Sequence, residues 1–133
     1  MILVDTNVLL DVLQDDPVWA EWSLTQLESA SVVDRLAIND VIYAELSIAF
    51  ARIEDLEAVI EQTALQLEPM PREALFLAGK AFMAYRRAAG SRQQLLPDFF
   101  VGAQAAVLGC PLLTRDARRY RTYFPSVQLV SPP

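Results

Sequence analysis

The chain has 133 residues, 53% of them apolar, with a net charge of −6, no histidine and a single cysteine. That length and apolar share imply one packed domain, 1–133, and exclude a disordered chain. No apolar run reaches the roughly 20 residues needed to span a bilayer, and no basic leader precedes the first strand, so a cytoplasmic protein is expected.

Met1-Ile2-Leu3-Val4 reads as a buried strand ending at Asp5, followed by a short helix over 7–13 that Gln14-Asp15-Asp16-Pro17 closes. Residues 18–30 form a second helix, with Ala20, Leu24 and Leu27 on one face. Arg35–Ile38 is a strand, and Asn39 caps a helix through Val41–Leu46. A helix over 54–65 and a strand at Leu65–Glu68 come next. Pro71 then opens a long helix that stops before Gly90, and a polar loop over 91–96 carries Arg92. Pro97 starts a helix ended by Gly109. Leu112–Thr114 is a strand, Arg115–Tyr123 mostly helix, and Val127–Val130 the last strand. Strands alternating with helices predict an α/β fold, a parallel sheet covered on both faces.

Four acids stand where such a fold has least structural reason to keep them. Asp5 sits at the C-terminal tip of the first strand, the edge of an open α/β sheet where ligands bind. Glu45 has Ile42 and Ala49 as helical neighbours, which puts it on or beside a buried face. Asp98 follows Pro97 in the first turn of its helix, with Gly102 one turn on expected to leave open space beside it. Asp116 follows the fourth strand. Each has a plainer role open to it: a helix cap for Asp5, a first-turn acid for Asp98 or Asp116, a buried ion pair for Glu45. The four together are harder to explain that way and suggest one shared cation. With no histidine, that cation would be a hard ion held by oxygen, such as Mg²⁺. A water on it loses its proton readily, giving a nucleophile without His or Lys, and the ion neutralises a scissile phosphate. Thr6 and Thr114 are placed to orient carboxylates or to close strands. Like charges gathered there are expected to raise at least one carboxylate pKa.

Charge is unevenly spread. Residues 1–73 carry fifteen Asp/Glu against three Arg, and residues 74–133 carry eight Lys/Arg against only Asp98 and Asp116. Basic residues are Arg rather than Lys, ten to one, which suits two-pronged phosphate contact. Arg115, Arg118 and Arg119 would share a helical face; Arg92 and Arg115, flanking the acids, are the expected phosphate contacts. The alternative is a solvated or acid-paired surface.

These residues resemble a known family. Ile2-Leu3-Val4-Asp5-Thr6-Asn7, Tyr43-Ala44-Glu45-Leu46, Pro97-Asp98-Phe99-Phe100-Val101-Gly102-Ala103 and Leu113-Thr114-Arg115-Asp116 are similar, in order, to the four acidic motifs of PIN-domain proteins. The closing Arg119–Pro125 and Val127–Val130 resemble the tail of VapC-type toxins within that family. The resemblance implies a three-layer α/β/α sandwich and a Mg²⁺- or Mn²⁺-dependent ribonuclease. It would be the toxin of a type II toxin–antitoxin pair, homodimeric and silenced by a cognate antitoxin. Asp5, Glu45, Asp98 and Asp116 carry over as metal ligands and Thr114 as a supporting residue. The acidic net charge departs from a broad RNA grip and fits a selective substrate or a basic antitoxin segment.

A phosphoacceptor receiver domain is the main rival: similar length, parallel sheet, acidic pocket and Mg²⁺. It would want an acidic pair after the first strand and a lysine after the last, whereas Asp5 has no acidic neighbour and Lys80 lies mid-helix. A haloacid-dehalogenase-like phosphatase would want an acid where Asn7 stands. A pure interaction module leaves Glu45 unexplained.

Overall fold

Strand β1 (Ile2–Val4), every residue buried, lies at the centre of a five-stranded sheet. Its neighbours are β2 (Leu36–Ile38) on one side and β4 (Leu112–Leu113) on the other, with β3 (Gln66–Leu67) and β5 (Leu129–Val130) at the edges. All four pairings are parallel, with Leu3 opposite both Ala37 and Leu112. The computed structural model describes residues 1–88 and 96–133; Arg92 lies outside the described residues.

The strand order 3-2-1-4-5 means that the chain steps outward from β1 to β3, then returns across the sheet to β4. The reversal falls between β1 and β4, the topological switch point beside which open α/β sheets bind ligands. The same order separates the chain from the receiver alternative, because flavodoxin-like folds of that kind run 2-1-3-4-5.

Seven helices among the described residues cover the sheet: α1 (Thr6–Leu13), α2 (Ala20–Val33), α3 (Asp40–Ser47), α4 (Ile53–Thr63), α5 (Arg72–Arg87), α6 (Pro97–Leu108) and α7 (Arg118–Tyr123). The fully apolar, fully buried β1, β2 and β4 require helices on both faces, giving the predicted three-layer sandwich. No helix among the described residues is long and apolar enough to cross a membrane.

Local chemistry sets the ends of these elements. Asp5 caps α1 by accepting the Thr6 amide at 2.8 Å, and Asn39 caps α3 by accepting that of Ile42 at 2.8 Å. Asn39 also donates to Gln104 at 2.7 Å, and Gln104 donates in turn to the carbonyls of Glu68 and Pro69. Both side chains are fully buried, so this chain of hydrogen bonds locks α6 to the ends of β2 and β3. The last predicted helix starts later than expected. Residues 114–116 form a turn instead, because Thr114 Oγ1 accepts the Asp116 amide at 3.2 Å and Asn7 accepts that of Arg115 at 3.2 Å. Arg115 therefore does not share a helical face with Arg118 and Arg119.

One further expectation is corrected. The space beside Gly102 is not open: a Cβ there would come within 2.4 Å of the Phe124 ring. The glycine is needed so that Phe124 can pack on α6.

Candidate active site

Asp5 leaves the C-terminal tip of β1 at the switch point and is only 5% exposed. Its Oδ2 accepts the Tyr120 hydroxyl at 2.8 Å and the Thr114 hydroxyl at 2.9 Å, with Asn7 Nδ2 at 3.4 Å. Three donors on one oxygen fix the carboxylate's orientation. Among the described residues, Oδ1 accepts only the Thr6 amide, so it keeps a free lone pair.

Thr6 turns its hydroxyl the other way and donates to Glu45 Oε1 at 2.7 Å, joining α1 to the middle of α3. Glu45 is half-buried and, among the described residues, has no basic partner within ion-pair distance, so the alternative of a buried salt bridge does not hold. Asp98, in the first turn of α6, accepts Arg119 Nη1 at 3.0 Å. Asp116 is exposed and lines a cleft of about 380 Å³ together with Asp98, Tyr85, Arg118, Arg119 and Tyr123. The acids thus meet at one end of the sheet as two linked sets, Asp5–Thr6–Glu45 within and Asp98–Asp116 at the cleft.

Electrostatics tie the sets together. Burial pushes the Asp5 carboxyl up from 3.8 to about 6, with the Asp98 charge adding to the rise and bonds from Tyr120, Thr114 and Thr6 opposing it. Asp98 is also raised, first by burial, then by Asp116, against the pull of Arg119. The expected rise is present, but desolvation causes more of it than like-charge crowding. Tyr120 is held well above its ordinary value by burial and by the charges of Asp5, Asp98 and Glu45, so its hydroxyl keeps its proton and donates.

Oxygen donors without histidine suit a hard divalent ion that retains several waters and takes one or two carboxylates. The charge of Asp98 is felt at Asp5, and that of Asp116 at Asp98. Among the described residues no three acids converge as a ready-made ligand set. The donors therefore fit such an ion in type, and Arg119 at present holds the cationic place beside Asp98.

Arg115 is not among the residues lining that cleft. Its Nε donates to both oxygens of Asp11, at 2.8 and 3.1 Å, and its guanidinium lies over Trp19 with 5.7 Å to the ring centre. Asp11 is 3% exposed and also accepts Ser23 Oγ at 2.8 Å, so this group braces α1, α2 and the turn after β4.

Sequence reasoning missed Tyr120 as a site residue. An aromatic four residues beyond Asp116 reads as core, and nothing local reveals that its hydroxyl reaches Asp5. Asp11 was missed too: it stands alone between Leu10 and Val12 in a mostly apolar helix, and nothing local reveals that Arg115 reaches it. Arg119 lay within a recognised basic run, but only the fold shows which of that run's arginines meets an acid of the site.

The PIN domain family model matches residues 2–125. The chain belongs to the PIN domain family. Its fold is that of VapBC-type structures: a chain of VapBC2 from Rickettsia felis, solved with a promoter DNA fragment, superposes with a TM-score of 0.75 at 16% identity, covering 100% of both chains. A toxin–antitoxin complex from Klebsiella pneumoniae gives 0.71 at 17% identity, covering 100% of this chain and 98% of that one. FitAcB from Neisseria gonorrhoeae gives 0.69 at 21%, covering 97% and 96%. No curated protein matches the chain.

Proposed function

We propose that this protein is a divalent-metal-dependent endoribonuclease, the toxin of a type II pair, held inactive in the cytoplasm by a cognate antitoxin. The observation that carries the reading is Asp5: a buried carboxylate at the switch point, raised to about 6 and oriented by Tyr120 and Thr114, within the electrostatic reach of Asp98. Such a group is costly unless a cation uses it.

Asp5, Asp98, Glu45 and Asp116 would hold Mg²⁺ or Mn²⁺, with Thr114 setting the orientation of Asp5. When bound, the ion supplies an acidified water and offsets charge on the phosphate. Thr6 keeps Glu45 pointed at the site, and Tyr120 excludes water from the inner side of Asp5. Arg92 and the outer nitrogens of Arg115 would meet RNA phosphates, aided by exposed Arg118 at the cleft rim. The acidic first half supports binding of a basic antitoxin segment. Exposed Leu75, Phe76 and Met83 on α5 support association into a homodimer.

Two measurements test the proposal. Induction alone should arrest growth, co-expression of the neighbouring small gene should relieve it, and Asp98→Asn should be harmless at equal expression. Purified protein should cut RNA with Mn²⁺ and not with EDTA. Growth unaffected by induction, together with no Mn²⁺-dependent cleavage, would sink the reading.

A further inference from the structure

Arg119 is the one cation among the described residues that lies within ion-pair distance of a proposed metal ligand. Its Nη1 is 3.0 Å from Asp98 Oδ2, and both side chains are about one-third exposed, at 33% and 38%. The guanidinium does not hang in solvent. It rests over Tyr85, 5.4 Å from the ring centre, and over Phe99 at 5.8 Å. Tyr85, Phe99 and Tyr123 pack edge-on or tilted against one another at 5.5–6.0 Å, forming a rigid aromatic floor for it. Cation–π contact on two rings and a charged hydrogen bond define one seat, and that seat is beside an acid that faces the cleft.

We propose that Arg119 is a resident counter-ion of the acidic site: it neutralises Asp98 in the metal-free protein, and a divalent ion competes with it for that carboxylate. The inference rests on the reading of Asp98 as a metal ligand. Its logic is competition. A carboxylate oxygen engaged at 3.0 Å by a guanidinium cannot at the same time present that lone pair to a metal, and two cations at one carboxylate repel. The same pairing accounts for how acids that are partly buried and mutually repelling coexist before an ion arrives.

The test measures Mn²⁺ affinity by calorimetry at pH 7.5 for the parent, Arg119→Met and Arg119→Lys. Met keeps the apolar stem on Tyr85 and Phe99 but removes the charge, and Arg119→Gln, with the same expectation, serves if Met fails to fold; Lys retains the charge. Arg119→Met is expected to bind Mn²⁺ about tenfold more tightly, since about 1.4 kcal/mol of cation–cation competition is removed. Arg119→Lys should stay within about threefold of the parent, as its charge is kept. In an Asp98→Asn background the Arg119→Met change should alter Mn²⁺ affinity by less than about twofold, because the contested oxygen is gone. Equal or weaker Mn²⁺ binding by Arg119→Met, with the parent binding normally, would overturn the counter-ion role and leave the metal site standing. A parent that binds no Mn²⁺ would overturn both.

Discussion

Tyr120 places its hydroxyl 2.8 Å from Oδ2 of Asp5, so the last helix of the chain grips the carboxylate at the end of the first strand. The bond is buried, and its donor keeps its proton because burial and nearby acids hold the phenol well above its ordinary range. Replacing Tyr120 with Phe removes a donor to a charged acceptor, which costs roughly 1.5–3 kcal/mol while Asp5 is ionised and roughly 0.5–1.5 once it is protonated. The variant should lose more stability in urea at pH 7.5 than at pH 4. Equal losses at both would mean that the hydroxyl matters only for packing.

Asp5 itself should make the metal-free protein less stable as pH rises. Its folded pKa of about 6 lies above the 3.8 of an ordinary Asp, so the folded state binds a proton that the unfolded state has already released. Stability should fall between about pH 4 and 6, by on the order of 3 kcal/mol, and stay reduced above. Asp5→Asn should flatten that slope and, in EDTA at pH 7.5, melt as high as the parent or higher. Excess Mn²⁺ should raise the parent's melting temperature and the variant's much less. A variant with the parent's pH slope would remove Asp5 from the account.

Arg115 should prove structural first. Its loss strands Asp11, 3% exposed, with Ser23 as its one remaining side-chain partner among the described residues; because the arginine is itself 32% exposed, the cost is about 2 kcal/mol rather than that of a fully buried pair. Arg115→Ala should thus lower the urea midpoint. If the arginine also touches phosphate, RNA binding by a folded Asp98→Asn background should show a shallower salt slope, by about one ion, when Arg115 is removed. An unchanged slope assigns it to the brace alone.

Two backbone positions give opposite expectations. Ala64 ends α4 with φ 55°, a left-handed conformation that a Cβ resists, so Ala64→Gly should stabilise by roughly 0.5–1 kcal/mol. Gly102→Ala should destabilise by roughly 1–3 kcal/mol, because its Cβ would meet the Phe124 ring at 2.4 Å. Chemical denaturation of both variants checks the pair.

The parallel sheet and the places of Asp5, Asp98 and Asp116 were legible in the chain because each depends on local pattern: an apolar run that stops at an acid, a Pro that opens a helix, a Gly that ends one. What was not legible depends on pairing across the fold. Nothing near Arg115 indicates that a helical Asp more than a hundred residues earlier will claim it, and the turn that takes it off α7 is closed by Asn7. Gly102 was read for the space it leaves, when its role is to be approached by Phe124.

The distance along the chain between Asp5 and its partners has a consequence for synthesis. Residues emerge from the ribosome in order, and a domain folds as its contacts become available. β1 cannot obtain β4, nor Asp5 the hydroxyls of Thr114 and Tyr120, until residues 112–120 have been made. The nascent polypeptide therefore carries its acids unassembled for most of translation. If they cut RNA, the message and the ribosome making the protein are spared until the segment that carries Thr114 and Tyr120 has emerged.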